Sequence, residues 1–212
     1  MKTNYLFYTV ILLVISFENI MSQNISWQHI SKIDSNNVNG MTITPSGIIY
    51  VATHYGVHRS TDNGISWKKV RLGSIYDGLP KELTSNSKNH VFLLVGGYGV
   101  ERSTNNGESW QSINTGFQWH YADAIAVGNG DTLFMSGIGG VYKSTNNGDS
   151  WDTVGLHNNN HRSLLVTKTG TVYVGTADDI RIYRSTNAGS SWTSVSTGIT
   201  VSQITSLCEG NE

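Results

Sequence analysis

The stretch Ser60-Thr61-Asp62-Asn63-Gly64-Ile65-Ser66-Trp67 decides the fold, because the chain repeats it three more times with its internal spacing kept. The tryptophans at positions 67, 110, 151 and 192 stand 43, 41 and 41 residues apart, and Trp27 precedes the first of them by 40. A fixed period of this length indicates supersecondary units that bury their apolar faces against one another. We call the four segments the repeat turns: residues 60–67, 103–110, 144–151 and 185–192.

The residue types of each repeat turn predict a β-hairpin. The Asp or Asn in third position accepts hydrogen bonds from nearby backbone N–H groups, and the glycine two positions later adopts the positive φ of a tight turn. We expect the tryptophan and the aliphatic residue three positions later to lie on opposite faces of the last strand, so that both faces are covered. Burying one tryptophan would stabilise the unit by at most about 4–6 kcal/mol.

The pattern Ser/Thr-x-Asp-x-Gly-x-Ser/Thr-Trp resembles the Asp-box, or bacterial neuraminidase repeat, of β-propellers in sialidases, xyloglucanase-type glycoside hydrolases, sortilin-like receptors and photosystem II assembly factors. Only the first copy matches fully, because the other three have asparagine in place of aspartate. The resemblance spans roughly Trp27 to Trp192 and implies that the motif lies between the third and fourth strands of a blade, away from the ligand-binding mouth. It implies structural roles for Asp62, Gly64, Trp67, Asn105, Gly107, Trp110, Asn146, Gly148, Trp151, Asn187, Gly189 and Trp192.

Each unit contains two further short apolar strands before the hairpin, which makes four strands per unit, the content of a propeller blade. In the first unit they are Gly40–Ile43 and Ile48–Ala52. We therefore predict an all-β propeller of four-stranded antiparallel blades. The complete blades are expected at about residues 40–70, 82–113, 123–154 and 163–195.

Lone strands are predicted on both sides of the four blades. Ile25–Ile30 has the position of a fourth strand and Gln203–Leu207 that of a first strand, so the closing blade lacks its second and third strands. Propellers close by pairing strands from their two ends, which removes exposed edges. We expect an incomplete propeller that is part of a longer one; a four-bladed ring, or an oligomer that closes the circle through open blade edges, is the alternative.

The first 22 residues have the features of a secretory signal peptide. A basic start precedes the apolar segment from Tyr5 to Phe17, which is shorter than the roughly 20 residues of a membrane span. We expect cleavage near Ser22 and an exported domain over residues 23–212, secreted, periplasmic or at the cell surface, with no membrane span. An uncleaved anchor is the alternative.

Composition excludes several other classes of protein. The net charge is −1 and no Lys/Arg cluster exists to neutralise phosphates, which argues against nucleic acid as a partner. Cys208 is the single cysteine, so an internal disulfide is impossible. The 23 glycines suit an all-β chain with frequent turns.

Function is expected where the units differ, in the loops at the mouth. Trp119 is the one tryptophan out of phase with the repeats. Aromatic rings beside Asn, Asp and His side chains suit a sugar ring or a peptide segment, because stacking supplies area while polar groups fix orientation. The alternative is that these loops pack on one another and bind nothing. The candidate ligand-binding residues are Trp119, His120, Tyr121, Tyr76, His157 and His161.

Catalysis is the less favoured interpretation. A glycosidase needs two carboxylates about 5–9.5 Å apart, and Asp77 with Asp123 is the one pair worth testing. The resembling sialidases use an arginine triad, a tyrosine nucleophile and an Arg-Ile-Pro motif; the motif is absent here, and Arg71, Arg162 and Arg181 form no evident triad.

Metal binding is not expected either. The pairs His157 with His161 and His54 with His58 lack a third ligand, and residues 178–179 lack neighbouring oxygen ligands. We therefore predict no cofactor. The sequence favours an exported, non-catalytic propeller scaffold that binds a glycan or an extracellular protein through its loops; the alternative is a fragment of a sialidase- or xyloglucanase-like glycoside hydrolase.

Overall fold

The computed structural model describes residues 33, 37–73, 78–117, 121–157, 160–177, 181–199 and 204–210. Within these ranges the chain forms strands and one short 3-10 turn at Asn129–Asp131, and no helix there has the length and hydropathy of a membrane span. The predicted signal peptide and the strand predicted at Ile25–Ile30 lie outside the described residues.

The strands form separate antiparallel sheets of four, and each sheet keeps its strands in chain order. This confirms the predicted four-stranded blades. Blade 1 contains β1 (Val38–Ile43), β2 (Ile49–Thr53), β3 (Gly56–Ser60) and β4 (Lys68–Leu72), and blade 2 contains β5 (Pro80–Ser85), β6 (Val91–Val95), β7 (Gly99–Ser103) and β8 (Gln111–Ser112). Blade 3 contains β9 (Ala122–Val127), β10 (Leu133–Gly137), β11 (Gly140–Ser144) and β12 (Asp152–Thr153), and blade 4 contains β13 (His161–Val166), β14 (Val172–Thr176), β15 (Ile182–Ser185) and β16 (Thr193–Ser194).

The first strands of consecutive blades lie against one another, β1 on β5, β5 on β9 and β9 on β13. The blades therefore follow one another around an axis, with their first strands innermost. Backbones approach closely there: a Cβ on Gly40 would stand 2.9 Å from the Cα of Glu82. Asn39 Nδ2 donates to the carbonyl of Pro80 at 2.8 Å across the same junction.

The core consists of three apolar layers, each between two neighbouring blades. Tyr50 and Val57 of blade 1 pack with Leu93 of blade 2, and Phe92 of blade 2 packs with Met135 of blade 3. Phe134 and Val141 of blade 3 pack in the same way with Val172 and Val174 of blade 4. Each blade thus buries its apolar faces against its neighbours, as the period predicted.

The repeat turns are hairpin turns, as their residue types predicted. In all four, the first serine hydroxyl accepts the glycine N–H, at 2.8 Å in the first turn. The Asp or Asn Oδ1 accepts the N–H of the serine four residues on, at 2.9 Å in the first turn. The residue before each glycine has a left-handed φ of 54–64°, which closes the turn: Asn63, Asn106, Asn147 and Ala188.

The tryptophans differ from their prediction. The fourth strands begin after the tryptophan, so its side chain does not lie on a strand face. Trp151 and Trp192 instead reach back to the preceding blade, where their indole N–H groups donate to the carbonyls of Ile113 and Val154, each at 2.7 Å. Trp67 donates to Gly64 of its own turn at 3.1 Å. Only Trp151 is fully buried, whereas the other three are half-buried.

Each later repeat turn is a joint to the preceding blade. A Cβ on Gly148 would stand 2.4 Å from Cδ1 of Ile113, and one on Gly189 would stand 2.8 Å from Cβ of Val154. Arg102 Nη1 donates to Asp149 Oδ1 at 2.8 Å and to the carbonyl of Asn147. The close fit explains why glycine occupies this position.

Candidate functional site

The two ends of each blade carry different connections between strands. Because the strands of each blade are antiparallel and in chain order, the turns after the first and third strands share one end. The loops after the second strands and the connections between blades share the other end, which we call the loop face. The repeat turns follow the third strands and therefore lie at the end away from the loop face, where the resemblance to the Asp-box implied they would be.

Every first strand carries a β-bulge where it begins, at the loop face. The register shifts between Val38 and Gly40, Pro80 and Glu82, Ala122 and Ala124, and His161 and Ser163. A bulge leaves one residue without a partner in the ladder and redirects its side chain, and bulges are frequent next to functional sites. The four bulge residues are all polar: Asn39, Lys81, Asp123 and Arg162.

Two of the bulge residues form an ion pair between blades 2 and 3. Lys81 Nζ lies 2.9 Å from Asp123 Oδ1, and both side chains are partly exposed. Asp123 is one of the two carboxylates weighed for glycosidase chemistry, and the other, Asp77, lies outside the described residues. In this structure the Lys81 ammonium holds the Asp123 carboxylate in place, and no second carboxylate takes part in this ion pair.

Glu82 stands next to this ion pair. Its Oε2 accepts the backbone N–H of Ile125 in blade 3 at 2.8 Å. Burial raises the pKa of the Glu82 carboxyl from 4.5 to about 7, and the hydrogen bond from Ile125 opposes the shift. The junction between blades 2 and 3 therefore holds a carboxyl that is partly protonated near neutral pH.

Two tyrosines form an exposed aromatic surface across the same junction. The exposed fractions of Tyr98 and Tyr121 are 50% and 57%. A Cβ on Gly78 would stand 2.5 Å from Cδ2 of Tyr98, and one on Gly97 would stand 3.8 Å from Cε1 of Tyr121. Both rings therefore lie over glycines, where no side chain separates them from the backbone. We call Tyr98 and Tyr121 the tyrosine surface.

Further apolar side chains are exposed in the loops beside the tyrosine surface. Tyr55 occupies the loop of blade 1 and Ile138 that of blade 3, with exposed fractions of 55% and 47%. Tyr55 packs edge-on against His54, with ring centroids 5.7 Å apart. The loop face thus carries exposed apolar residues on three consecutive blades.

The two candidate histidines have different environments. His157 is exposed, and its Nδ1 lies 3.2 Å from the carbonyl of Gly139 in the loop of blade 3. His161 is fully buried, with its Nδ1 3.2 Å from the carbonyl of Gly137. His161 therefore contacts the loop from its inner side. It was predicted to bind a ligand at the surface, but its side chain does not reach the surface.

The remaining candidates Trp119, His120 and Tyr76 lie outside the described residues, as do Asp178 and Asp179. Arg71, one of the three arginines considered for a sialidase triad, forms a bidentate ion pair with Glu101 of blade 2, at 2.6 and 2.7 Å. Among the described residues, no three His, Cys, Asp or Glu side chains come together as metal ligands would.

Sequence reasoning proposed Tyr121, His157 and Asp123, which lie at the loop face, but it did not propose Lys81 or Glu82. The predicted blade begins at about residue 82, whereas β5 begins at Pro80, because the bulge extends the strand beyond the regular apolar pattern. The Pro80-Lys81-Glu82 sequence carries no signal of its own. Comparing the start of all four first strands would have revealed one polar residue at the same place in each.

Comparisons with known proteins agree with this architecture. Residues 86–208 match the family described as the DUF6242 beta propeller domain. No curated protein sequence matches the chain. Among solved structures, an ancestral GH74 enzyme is similar with a TM-score of 0.69 and 22% identity, over 82% of this chain and 27% of that one.

Two further solved structures have the same fold. The GH74 xyloglucanase from Xanthomonas campestris has a TM-score of 0.64 and 15% identity, over 80% of this chain and 33% of that one. YCF48 bound to D1 peptide has a TM-score of 0.60 and 12% identity, over 80% of this chain and 58% of that one. The chain thus spans about a third or less of the two GH74 enzymes, and these identities establish a shared fold alone.

Proposed function

This chain belongs to the DUF6242 beta propeller domain family, and from that premise we propose that it is a non-catalytic scaffold whose loop face binds a glycan or an extracellular protein. The observation that carries the proposal is the tyrosine surface. Tyr98 and Tyr121 expose about half of their side chains on glycine backbones at a blade junction. Aromatic rings that keep about half of their surface exposed after folding are suited to stacking on a ligand.

The ion pair of Lys81 with Asp123 supplies the polar half of such a site. A sugar ring needs hydrogen-bonding groups beside the stacking surface, and a partly exposed ammonium and carboxylate offer donors and acceptors. Because both follow from bulges in adjacent first strands, their positions are fixed by the sheets rather than by the loops. We therefore favour a glycan over a protein as the ligand.

The test is binding of a glycan array followed by titration of the best ligand. We expect Tyr121→Ala and Tyr98→Ala each to weaken binding at least tenfold, about 1.4 kcal/mol. Ile65→Ser is the matched control, because Ile65 is 82% exposed on a repeat turn at the opposite end. If the chain binds no glycan, or if both tyrosine variants bind as the wild type does, the glycan proposal is wrong.

A glycoside hydrolase is the second candidate, favoured by the similarity to GH74 enzymes and by the position of Asp123 beside the axis. Such an enzyme would release reducing ends from xyloglucan and lose turnover on Asp123→Asn. A scaffold would release none with either chain. The assay separates the two candidates because binding is measured independently of turnover.

Two finer proposals concern the identity of the repeat turns and the cellular location of the protein. We propose that the repeat turns are Asp-box motifs, supported by their common hydrogen bonds from the glycine and serine N–H groups. We also propose export after cleavage near Ser22. Amino-terminal sequencing of the chain recovered outside the cytoplasm would give Gln23 as the first residue, and an intact Met1 would contradict this.

A further inference from the structure

The chain contains five Asn-Gly pairs, a sequence prone to spontaneous deamidation because glycine has no side chain to hinder ring closure. In this reaction the glycine nitrogen loses its proton and attacks Cγ of the asparagine. A glycine N–H that is held in a hydrogen bond, within a backbone that cannot move, is therefore protected. The pairs are Asn39-Gly40, Asn63-Gly64, Asn106-Gly107, Asn129-Gly130 and Asn147-Gly148.

Three of the pairs lie in repeat turns, where the structure protects them. Their glycine N–H groups donate to the first serine hydroxyl of the turn, at 2.8 Å for Gly64 and Gly107 and at 2.9 Å for Gly148. All three glycines are buried, and Gly107 and Gly148 pack on the preceding blade. The attacking nitrogen is thus held both by a hydrogen bond and by close packing.

The pair at the beginning of blade 1 is also held in place. Asn39 Nδ2 donates to the carbonyl of Pro80 at 2.8 Å, which fixes the side chain that would be attacked. Gly40 pairs with Ala52 in the ladder of β1 with β2, and a Cβ on Gly40 would stand 2.9 Å from the Cα of Glu82. The backbone at this junction has no room to close a ring.

Gly130 has a different environment, at the tip of the turn between β9 and β10. It is exposed, and a Cβ on it would meet nothing within 4 Å. The N–H of Thr132 donates to the carbonyl of Asn129 at 3.3 Å, so the bond that closes the turn does not use the Gly130 nitrogen. Among the described residues, none accepts a hydrogen bond from that nitrogen.

The Asn129 side chain is held only weakly. It is exposed, and its Nδ2 donates to the carbonyl of Lys168 in blade 4 at 3.4 Å, which is longer than a typical hydrogen bond. The attacked carbon and the attacking nitrogen of this pair can therefore approach each other without breaking the packing between blades.

We propose that Asn129 is a site of spontaneous deamidation in the folded chain and that the other four Asn-Gly pairs are protected. The Gly130 nitrogen gives its proton to water and forms a bond to Cγ of Asn129. The bond from Cγ to Nδ2 breaks, and that nitrogen leaves as ammonia. Water then opens the cyclic imide at either of its carbonyls, which leaves aspartate or isoaspartate at position 129. Water is the only co-reactant.

The product changes a turn that contacts the blades on both sides. Asp131, in the same turn, accepts the N–H and the hydroxyl of Ser87 in blade 2 at 2.9 and 2.7 Å, and Asn129 contacts Lys168 in blade 4. Isoaspartate lengthens the main chain by one methylene between these contacts and adds a negative charge. We expect the bonds to Ser87 to weaken, so that deamidation slowly and irreversibly loosens blade 3 from blade 2.

Peptide mapping by mass spectrometry, on the full chain incubated at pH 8, measures conversion at each pair. We expect Asn129 to be converted at least about tenfold faster than Asn106. Asn129→Gln should remove the early product, because glutamine must close a larger ring. Asn106→Gln is the matched control, since Asn106 is also exposed and precedes a glycine, and it should leave the early product in place. In urea, where the turns are unfolded, conversion at the two sites should become equally fast.

A second variant tests the cause of the protection. Ser103→Ala removes the hydroxyl that accepts the Gly107 N–H, and it should accelerate conversion of Asn106 while Asn147, in the next turn, stays protected. An unchanged rate at Asn106 in this variant would overturn the proposed protection. Conversion of Asn106 or Asn147 as fast as that of Asn129 in the folded wild-type chain overturns the proposal, and so does an Asn129 that stays intact while these sites are converted.

Discussion

Asp62 is the only aspartate in the third position of a repeat turn, and its surroundings favour the ionised form. Its carboxylate accepts hydrogen bonds from the Ser66 hydroxyl, the Ser66 N–H and the Ser60 hydroxyl. Asn105 keeps the acceptor and adds a donated bond to the Ser109 hydroxyl at 2.8 Å. The charge is thus dispensable in three of the four turns, while the oxygen is not.

The pKa of Asp62 provides the first prediction. The hydrogen bonds from Ser66 and Ser60 lower the pKa of this carboxyl from 3.8 to about 2. A lowered folded-state pKa adds stability that is present above pH 3.8 and is lost as the pH falls through 2. A carboxyl titration by NMR should give the low value and an increase on Ser66→Ala; a value near 3.8 in the wild type would show that these bonds do not form.

Glu82 provides the opposite pH dependence. Its folded pKa is about 7 against an ordinary 4.5, so between these values the folded chain keeps a proton that the unfolded chain has lost. The free energy of unfolding therefore decreases as the pH rises through this window. Glu82→Gln retains an acceptor for the Ile125 N–H and should remove the decrease, with a gain of up to about 3 kcal/mol at pH 8.

Urea unfolding of both chains between pH 4 and pH 8 measures this difference. Glu101→Gln is the control, because Glu101 forms an ion pair with Arg71 and its loss should destabilise the chain at neutral pH. Parallel pH profiles for wild type and Glu82→Gln would contradict the assignment.

At the scale of an element, the tryptophans of the repeat turns differ in how deeply they are buried. Trp151 is 3% exposed and donates to the preceding blade, whereas Trp67 is half-buried and donates within its own turn. Trp151→Ala should therefore lower the free energy of unfolding by about 3–5 kcal/mol. Trp67→Ala should lower the free energy of unfolding by about 1 kcal/mol. If urea unfolding gives equal losses for the two variants, Trp151 does not join blades 2 and 3 as described.

The glycines of the turns give a second matched pair. Gly148 has a φ of 89° and Gly47 a φ of 83°, so alanine introduces backbone strain of about 1–2 kcal/mol at both. A Cβ on Gly148 meets Ile113 at 2.4 Å, whereas one on Gly47 meets nothing within 4 Å. Gly148→Ala should consequently lose about 1–3 kcal/mol more than Gly47→Ala, and calorimetric unfolding that finds no difference would exclude the close contact with Ile113.

At the scale of the molecule, the fold was predictable because its information is local and repeated. Ser60 accepts the Gly64 N–H and Asp62 accepts the Ser66 N–H, so each turn closes on hydrogen bonds within a few residues. Four such turns in phase define the blades. The second strand of blade 1 was predicted at Ile48–Ala52 and lies at Ile49–Thr53, within one residue at each end.

The site was only partly predictable, because it depends on contacts between units. Tyr121 was identified as an aromatic residue in a variable loop, but its position over Gly97 follows from the packing of blade 3 on blade 2. The bulge that exposes Lys81 depends on the register of β5 against β6, and single-strand patterns do not encode register. The burial of His161 likewise follows from the loop of the neighbouring blade.

The central claim is that the repeated residues are joints between blades, which leaves the variable loop face for function. Amide hydrogen exchange of Trp151→Ala, with Trp67→Ala as the control, tests it most directly. We predict that Trp151→Ala reduces protection in β6, β7 and β10, on both sides of the joint between blades 2 and 3, while Trp67→Ala leaves these strands protected. Reduced protection confined to residues 144–151 would show that the turn stabilises only itself and would contradict the account.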